Sequence, residues 1–207
     1  MEIQGKKFLV TGGASGMGRN FTLNLAKLGG DVAFCDLNDE AIQDVEAAGA
    51  DLPGKVVGFN ANVASEDDVV GLITSVREAL GGLDGVVNNA GIFCASDEVA
   101  DMPEAEWQRS LDINLTGAMH VARESIPYLR LGWEPSLIMV GSKNVPAPGP
   151  AAGAYSVAKA GLTQLARVLA LELAGDGIRV NTLHPNAVFD TAIWTDEVLK
   201  AGPRTME

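Results

Sequence analysis

Short apolar runs punctuate the chain at intervals: KKFLVT, DVAFCD, KVVGFNANV, GVVNNAG, PSLIMVGS and GIRVNTLHP. Each reads as a short strand. Between them the apolar positions take a helical spacing, first at Phe21, Leu23, Leu25 and Leu28, then around 39–48, 66–80, 102–129 and 154–174. Strand and helix alternate throughout, which predicts an α/β protein: a doubly wound parallel sheet of Rossmann type with helices on both faces. No repeat, low-complexity tract or linker interrupts the pattern, and 207 residues suit a single domain, 1–207.

Two of the helices carry more than packing requires. The 154–174 segment is apolar over much of its circumference, with Val157, Ala160, Leu162, Leu165, Ala166, Leu169, Ala170 and Leu173. A helix laid on one sheet needs one stripe, so the surplus predicts a second contact, most simply in a homodimer. The 102–129 segment holds Asn114 in its middle, where an amide competes for backbone groups. Either a local kink there frees a carbonyl to hold a water, or Asn114 is an exposed surface residue. His120, further along, reads as a packing or surface residue, and 188–202 as a short helix or lid.

Composition is ordinary, with 47% hydrophobic and 20% charged residues, but the net charge of -12 narrows the partners. Phosphate backbones need clustered Lys and Arg, so nucleic acid is excluded as a partner and anionic membrane surfaces are disfavoured. No apolar run approaches the ~18 residues of a membrane span, and the start of the chain does not read as a signal peptide. Cys35 and Cys94 show no metal-ligand spacing and read as reduced thiols of a cytoplasmic protein; no metal is expected.

The chemistry gathers at strand exits, where open α/β sheets bind ligands. The first strand runs into Thr11-Gly12-Gly13-Ala14-Ser15-Gly16-Met17-Gly18 and then a helix, a turn that lets a pyrophosphate approach backbone N–H groups at the helix N-terminus. The second strand ends at Asp36, whose carboxylate suits both hydroxyls of an adenosine ribose and would repel a 2′-phosphate. Met17 and Leu37 are neutral where that phosphate would want a cation, so NAD is expected rather than NADP; alternatively, Asp36 only caps the next helix. Asn62 and Val63 end the third strand facing an adenine, and Asn88, Asn89, Ala90 and Gly91 end the fourth. Ser142 ends the fifth, and Tyr155 and Lys159 share one face of the helix that follows. An ammonium beside the phenol is expected to lower its pKa and make Tyr155 a proton shuttle. Taken alone, the pair also fits a packed aromatic and a lysine reaching water.

TGGASGMG, Asp36, NNAG, Asn114, Ser142 and Tyr-Ser-Val-Ala-Lys resemble, in order, the short-chain dehydrogenase/reductase family in its compact branch. The resemblance implies an NAD-dependent oxidoreductase of small alcohols or carbonyl compounds. It implies Tyr155 as general acid/base, Ser142 orienting the substrate oxygen, Lys159 tuning the tyrosine and holding the nicotinamide ribose, and Asn114 positioning a water. Gly12, Ser15, Gly16, Met17 and Gly18 would surround the pyrophosphate, and Asp36 would take the ribose. Asn62, Val63 and Asn89 would line the adenine side, and Pro185, Val188 and Thr191 the nicotinamide carboxamide. A homodimer or homotetramer is implied as well. Asn62 stands where that family usually has aspartate, and Pro185-Asn186 where it has Pro-Gly. The family's final helix and strand find no counterpart, which leads us to expect a shortened C-terminal end, an exposed sheet edge and a lost subunit contact. That shortening is what a nucleotide-binding sensor or subunit without turnover would also show. SKNVPAPGP, Tyr155 to Lys159 and HPNAVFDTAIW further resemble the dehydrogenase half of bifunctional rhamnulose-phosphate aldolase/alcohol dehydrogenases, implying a hydroxy-aldehyde or sugar-derived substrate.

Overall fold

The computed structural model describes residues 2–93, 97–186 and 188. Strands β1 (Lys7–Thr11), β2 (Asp31–Asp36), β3 (Val56–Asn60), β4 (Gly85–Asn88), β5 (Ser136–Val140) and β6 (Arg179–Leu183) form one parallel sheet in the order β3-β2-β1-β4-β5-β6. The connections are helical: α1 (Gly16–Lys27), α2 (Asp39–Gly49), α3 (Glu66–Leu80), α4 (Glu104–Leu111) with α5 (Gly117–Leu129), and α6 (Gly153–Glu172). Strand order reverses between β1 and β4, the arrangement of a Rossmann fold. Among the described residues β6 is an edge strand, and no helix is long and apolar enough to cross a membrane.

Alternation along β1 explains the two cores. Phe8 and Val10 point to one face, where they meet Val32, Phe34, Ile42, Val45 and Ala26 under α1 and α2. Leu9 points to the other, among Val86, Leu137 and Met139, covered by Val69, Leu72 and Val76 of α3, Val121 and Leu129 of α5, and Leu162 of α6. Both faces of the central strands are therefore buried, which is why their sequences read as apolar runs rather than as alternating ones. The helix starts follow local chemistry: Asn38 caps α2 through Ala41 N, Ser65 caps α3 through Asp68 N, and Gly81 in left-handed conformation ends α3.

The strands stop earlier than their apolar runs suggest. β3 ends at Asn60, so Asn62 and Val63 lie in the loop beyond it, and β5 ends at Val140, two residues before Ser142. The helix over 102–129 is interrupted by a π-helical turn, Asp112–Thr116, centred on Asn114. Asn114 is fully buried, so the local distortion holds and the exposed alternative does not. His120 packs in the core with Nδ1 3.4 Å from Val63 O.

At the opposite end of the sheet Asp84 gathers three strands. Its carboxylate accepts from Lys7 N at 2.9 Å and Trp133 N at 2.6 Å, and its carbonyl accepts from Ser136 N at 3.0 Å. Beside it the buried Lys6 donates to Trp133 O and Glu134 Oε2, both at 3.0 Å. Replacing Asp84 by alanine strands two inward-facing N–H groups. Asp84→Ala should cost about 2–4 kcal/mol, read as a lowered urea midpoint, and Asp84→Asn should recover part of it through one accepting oxygen.

Candidate active site

Where the strand order reverses, a cavity of about 310 Å³ opens at the carboxyl ends of the strands. The glycine turn forms one wall. A Cβ on Gly18 would sit 1.9 Å from Gly12 O, so only glycine lets α1 start this close to the end of β1. The starts of α2 and α3 are capped by side chains and carry acidic residues in their first turns, whereas that of α1 has neither a side-chain cap from Ser15 nor an acidic residue. Gly12, Ser15, Gly16, Met17 and Gly18 all line the cavity. This wall suits an anion.

Asp36 stands at the rim, fixed by Ala14 N at 3.1 Å and Leu37 N at 2.8 Å. It does not cap α2, which Asn38 does. Asn62 and Val63 line the same end, and Asn62 Oδ1 is held by Ala64 N at 3.0 Å. Asn89 joins the exit of β4 to the glycine turn, donating from Nδ2 to Thr11 O at 2.9 Å and Gly12 O at 3.2 Å. Thr11 completes the joint, its Oγ1 accepting from Asn89 N and Ala90 N at 3.0 and 2.9 Å. The sequence reading passed over Thr11, a small hydroxyl in a run that signals strand. Cys35 lies below this wall, and burial pushes its thiol up to about 12, leaving it protonated and unreactive. Cys94 lies outside the described residues.

Tyr155 and Lys159 project from the first turns of α6, and Ser142 from the loop after β5, into the other end of the cavity. Ser142 Oγ accepts from Asn144 N at 3.1 Å, which leaves its own proton for its hydrogen bond with the Tyr155 phenol. Asn144, another residue the sequence reading missed, is buried and anchored to α6 by Nδ2 on Ser156 Oγ at 3.3 Å. Lys159 Nζ is buried, donates to Val140 O at 2.9 Å and lies 5.9 Å from the Tyr155 ring centroid. Burial pulls it down to about 8.

Here the expected electrostatics are reversed. Burial holds the Tyr155 phenol above its ordinary value, and the Ser142 hydrogen bond offsets this only in part. Phe93 contributes to that burial with its ring 5.0 Å from the tyrosine ring, and the ammonium is engaged by Val140 O. Asn114 does not line the cavity but braces it. Ile92 N donates to its Oδ1 and its Nδ2 donates to Ile92 O, both at 3.0 Å. A Cβ on Gly91 would meet Asn114 Oδ1 at 2.6 Å and Lys159 Nζ at 3.2 Å, so this glycine lets both polar groups close on the exit of β4. Pro185 and Val188 line the far side; Thr191 and the rest of the expected lid, 189–202, lie outside the described residues.

The family model described as short chain dehydrogenase matches residues 6–201. The 2,5-dichloro-2,5-cyclohexadiene-1,4-diol dehydrogenase of Sphingobium indicum is 37% identical over 188 residues, covering 90% of this chain and 74% of that protein. Among solved structures, NAD+-bound xylitol dehydrogenase superposes with a TM-score of 0.86 at 32% identity, covering 90% of this chain and 72% of that one. Carveol dehydrogenase from Mycobacterium avium in complex with NAD superposes with a TM-score of 0.93 at 27% identity, covering 100% and 79%. The chain belongs to the short chain dehydrogenase family, and it is an oxidoreductase.

The buried ammonium has a consequence for stability. Lys159 titrates near 8 in the fold and near 10.5 when exposed, so between these values the unfolded chain binds more protons. Stability is therefore expected to rise with pH across this window, by up to about 3 kcal/mol from this group. Lys159→Met should remove that rise, as read from urea unfolding at pH 7 to 10.

Proposed function

We propose that the protein transfers a hydride between NAD(H) and a small alcohol or carbonyl compound, with Tyr155 as general acid and base. The observation that carries this reading is one cavity with an anion-suited helix start and a fixed carboxylate at one end, and Ser142, Tyr155 and Lys159 converging at the other. The residues present fit the dinucleotide. Gly12, Ser15, Gly16, Met17 and Gly18 would hold the pyrophosphate through backbone N–H groups, and Asp36 would take the adenosine ribose. Asn62, Val63 and Asn89 would flank the adenine, Pro185 and Val188 would line the carboxamide, and the family resemblance adds Thr191 to them. Asp36, with neutral Met17 and Leu37 beside it, favours NAD over NADP.

When bound, the nicotinamide ring supplies the hydride donor or acceptor. The chain's own task is the proton. Ser142 Oγ orients the substrate oxygen, and Tyr155 gives its proton to a carbonyl being reduced or takes one from an alcohol being oxidised. Because burial keeps the phenol protonated at neutral pH, it stands ready as the acid. Lys159 would hold the nicotinamide ribose through its ammonium. Asn114 keeps Ile92 in register with the site and positions a water for proton exchange with solvent. The relatives named for a cyclohexadiene-diol, xylitol and carveol support a small hydroxylated substrate, including hydroxy-aldehydes and sugar-derived alcohols. Val157, Val168 and Leu171 of α6 are 48%, 41% and 81% exposed, which supports a homodimer or homotetramer; the free thiol of Cys35 supports a place in the cytoplasm.

Fluorescence titration with NADH, on a sample whose mass in solution is recorded, tests cofactor and assembly together; no binding to NADH or NADPH would remove the basis of the reading. Asp36→Ala should weaken NADH more than NADPH, and equal losses would displace Asp36 from the ribose. Across a panel of secondary alcohols and polyols, Tyr155→Phe should lower turnover by about 10²-fold or more while NADH affinity stays unchanged.

A further inference from the structure

We propose that His184 is the positioning residue of Ser142, fixing through its Nδ1 the peptide that carries the substrate-facing hydroxyl. This rests on the reading above that Ser142 serves Tyr155 and the substrate oxygen. His184 follows directly after β6, and its ring turns back over the loop leaving β5. Nδ1 lies 3.2 Å from Ser142 N and 2.9 Å from Ser142 O, so one ring nitrogen faces both polar backbone groups of the same residue.

Either neutral tautomer holds Ser142. With its lone pair on Nδ1 the ring accepts the Ser142 N–H; with a proton there it donates to the Ser142 carbonyl. The carbonyl also receives Val145 N at 3.1 Å, so the N–H is the group that most needs the imidazole. The pairing of β4 with β5 ends at Asn88 and Met139, before Ser142 is reached. On the other side, Gly141 N donates to Leu183 O at 2.7 Å and Lys143 N to Pro185 O at 3.0 Å, bracketing the serine without engaging it.

The neighbouring glycine is shaped for this ring. A Cβ on Gly141 would meet His184 Nδ1 at 2.7 Å and Cε1 at 2.8 Å, a contact that any larger residue relieves only by pushing the imidazole away. With the Ser142 peptide held, Oγ meets Asn144 N at 3.1 Å and its proton is directed at Tyr155. The path from His184 to the phenol is therefore two hydrogen bonds and one serine. Leucine in place of His184 would keep the bulk and lose the nitrogen, whereas asparagine would return a polar atom near the position of Nδ1.

The phenol itself reports the outcome, because the chain has only two tyrosines, Tyr128 and Tyr155. In protein labelled with 3-fluorotyrosine on a Tyr128→Phe background, a single fluorine resonance reads the surroundings of Tyr155. We expect Ser142→Ala and His184→Leu to move it in the same direction, His184→Leu to add nothing in the Ser142→Ala protein, and His184→Asn to leave it in place. Gly141→Ala should reproduce the His184→Leu shift by displacing the ring, and it serves if His184→Leu does not fold. Urea midpoints establish that each variant is folded. A resonance that moves with Ser142→Ala but ignores both His184→Leu and Gly141→Ala overturns the role of His184 alone. Shifts that add in the double variant overturn it too, because His184 would then act by another route. A resonance unmoved by Ser142→Ala overturns the serine–tyrosine reading, and the proposal with it.

Discussion

The reversal of strand order between β1 and β4 is the constraint on which the rest depends. Every described strand is parallel, so each connection between them must cross back over the sheet, and the connections on the two sides of the reversal leave toward opposite faces. Their loops part, and the crevice between them is the cavity. Because both faces of the central strands are covered, polar groups can reach that crevice only from strand exits and helix starts. Thr11, Asp36, Asn89, Ser142 and the first turns of α1 and α6 occupy just those places. Asn89, bonded to Thr11 O and Gly12 O, then keeps the two sides of the opening at a fixed separation.

The site also carries a cost that the fold has to offset. An ammonium enclosed by protein, with Val140 O as its partner, is unfavourable relative to water, and the downward displacement of Lys159 measures that penalty. The phenol beside it is displaced the other way, each group being pressed toward its neutral form by the same burial. Of two groups whose ordinary values lie near 10, Lys159 is thus brought toward neutral pH and Tyr155 is moved further above it. A lysine near 8 exchanges its proton at physiological pH far more readily than one near 10.5. A cost of this kind is common at functional sites.

Much of the architecture was legible in the sequence because parallel strands buried on both faces leave uninterrupted apolar runs, and because the apolar positions between them keep a helical spacing. The glycine turn, Asp36, Ser142, Tyr155 and Lys159 could be picked out as candidates because the chemistry proposed for them depends on residue type and spacing, and the fold brings them to one cavity. What escaped was contributed by geometry. The hydroxyl of Thr11, the backbone N–H of Asn144 and the ring of His184 matter for where the fold sends them, and nothing in their identity marks it. The Tyr155 displacement escaped for a related reason: sequence shows that a cation is four residues away, but not that Val140 O engages it or that Phe93 encloses the phenol. Asn114 lies between these cases, since an asparagine inside a helix signals a distortion without saying which kind.

That distortion, the π-helical turn at Asp112–Thr116, limits how the chain can vary in length. A π turn holds one residue more than the α-helical ladder requires. Deleting a residue there would restore a regular helix, and the segments on either side would keep nearly the orientation they have now, because the turn itself absorbs the extra residue. Val121, Ala122 and Leu129 would stay on the core, and what would be lost is the bulge that presents Asn114 to Ile92. Outside the turn nothing absorbs a change of length: one residue removed from α4 or α5 would rotate everything beyond it by about 100° and carry a buried face outward. A change in length is therefore felt locally, at the brace, when it falls in the turn, and throughout the core when it falls on either side.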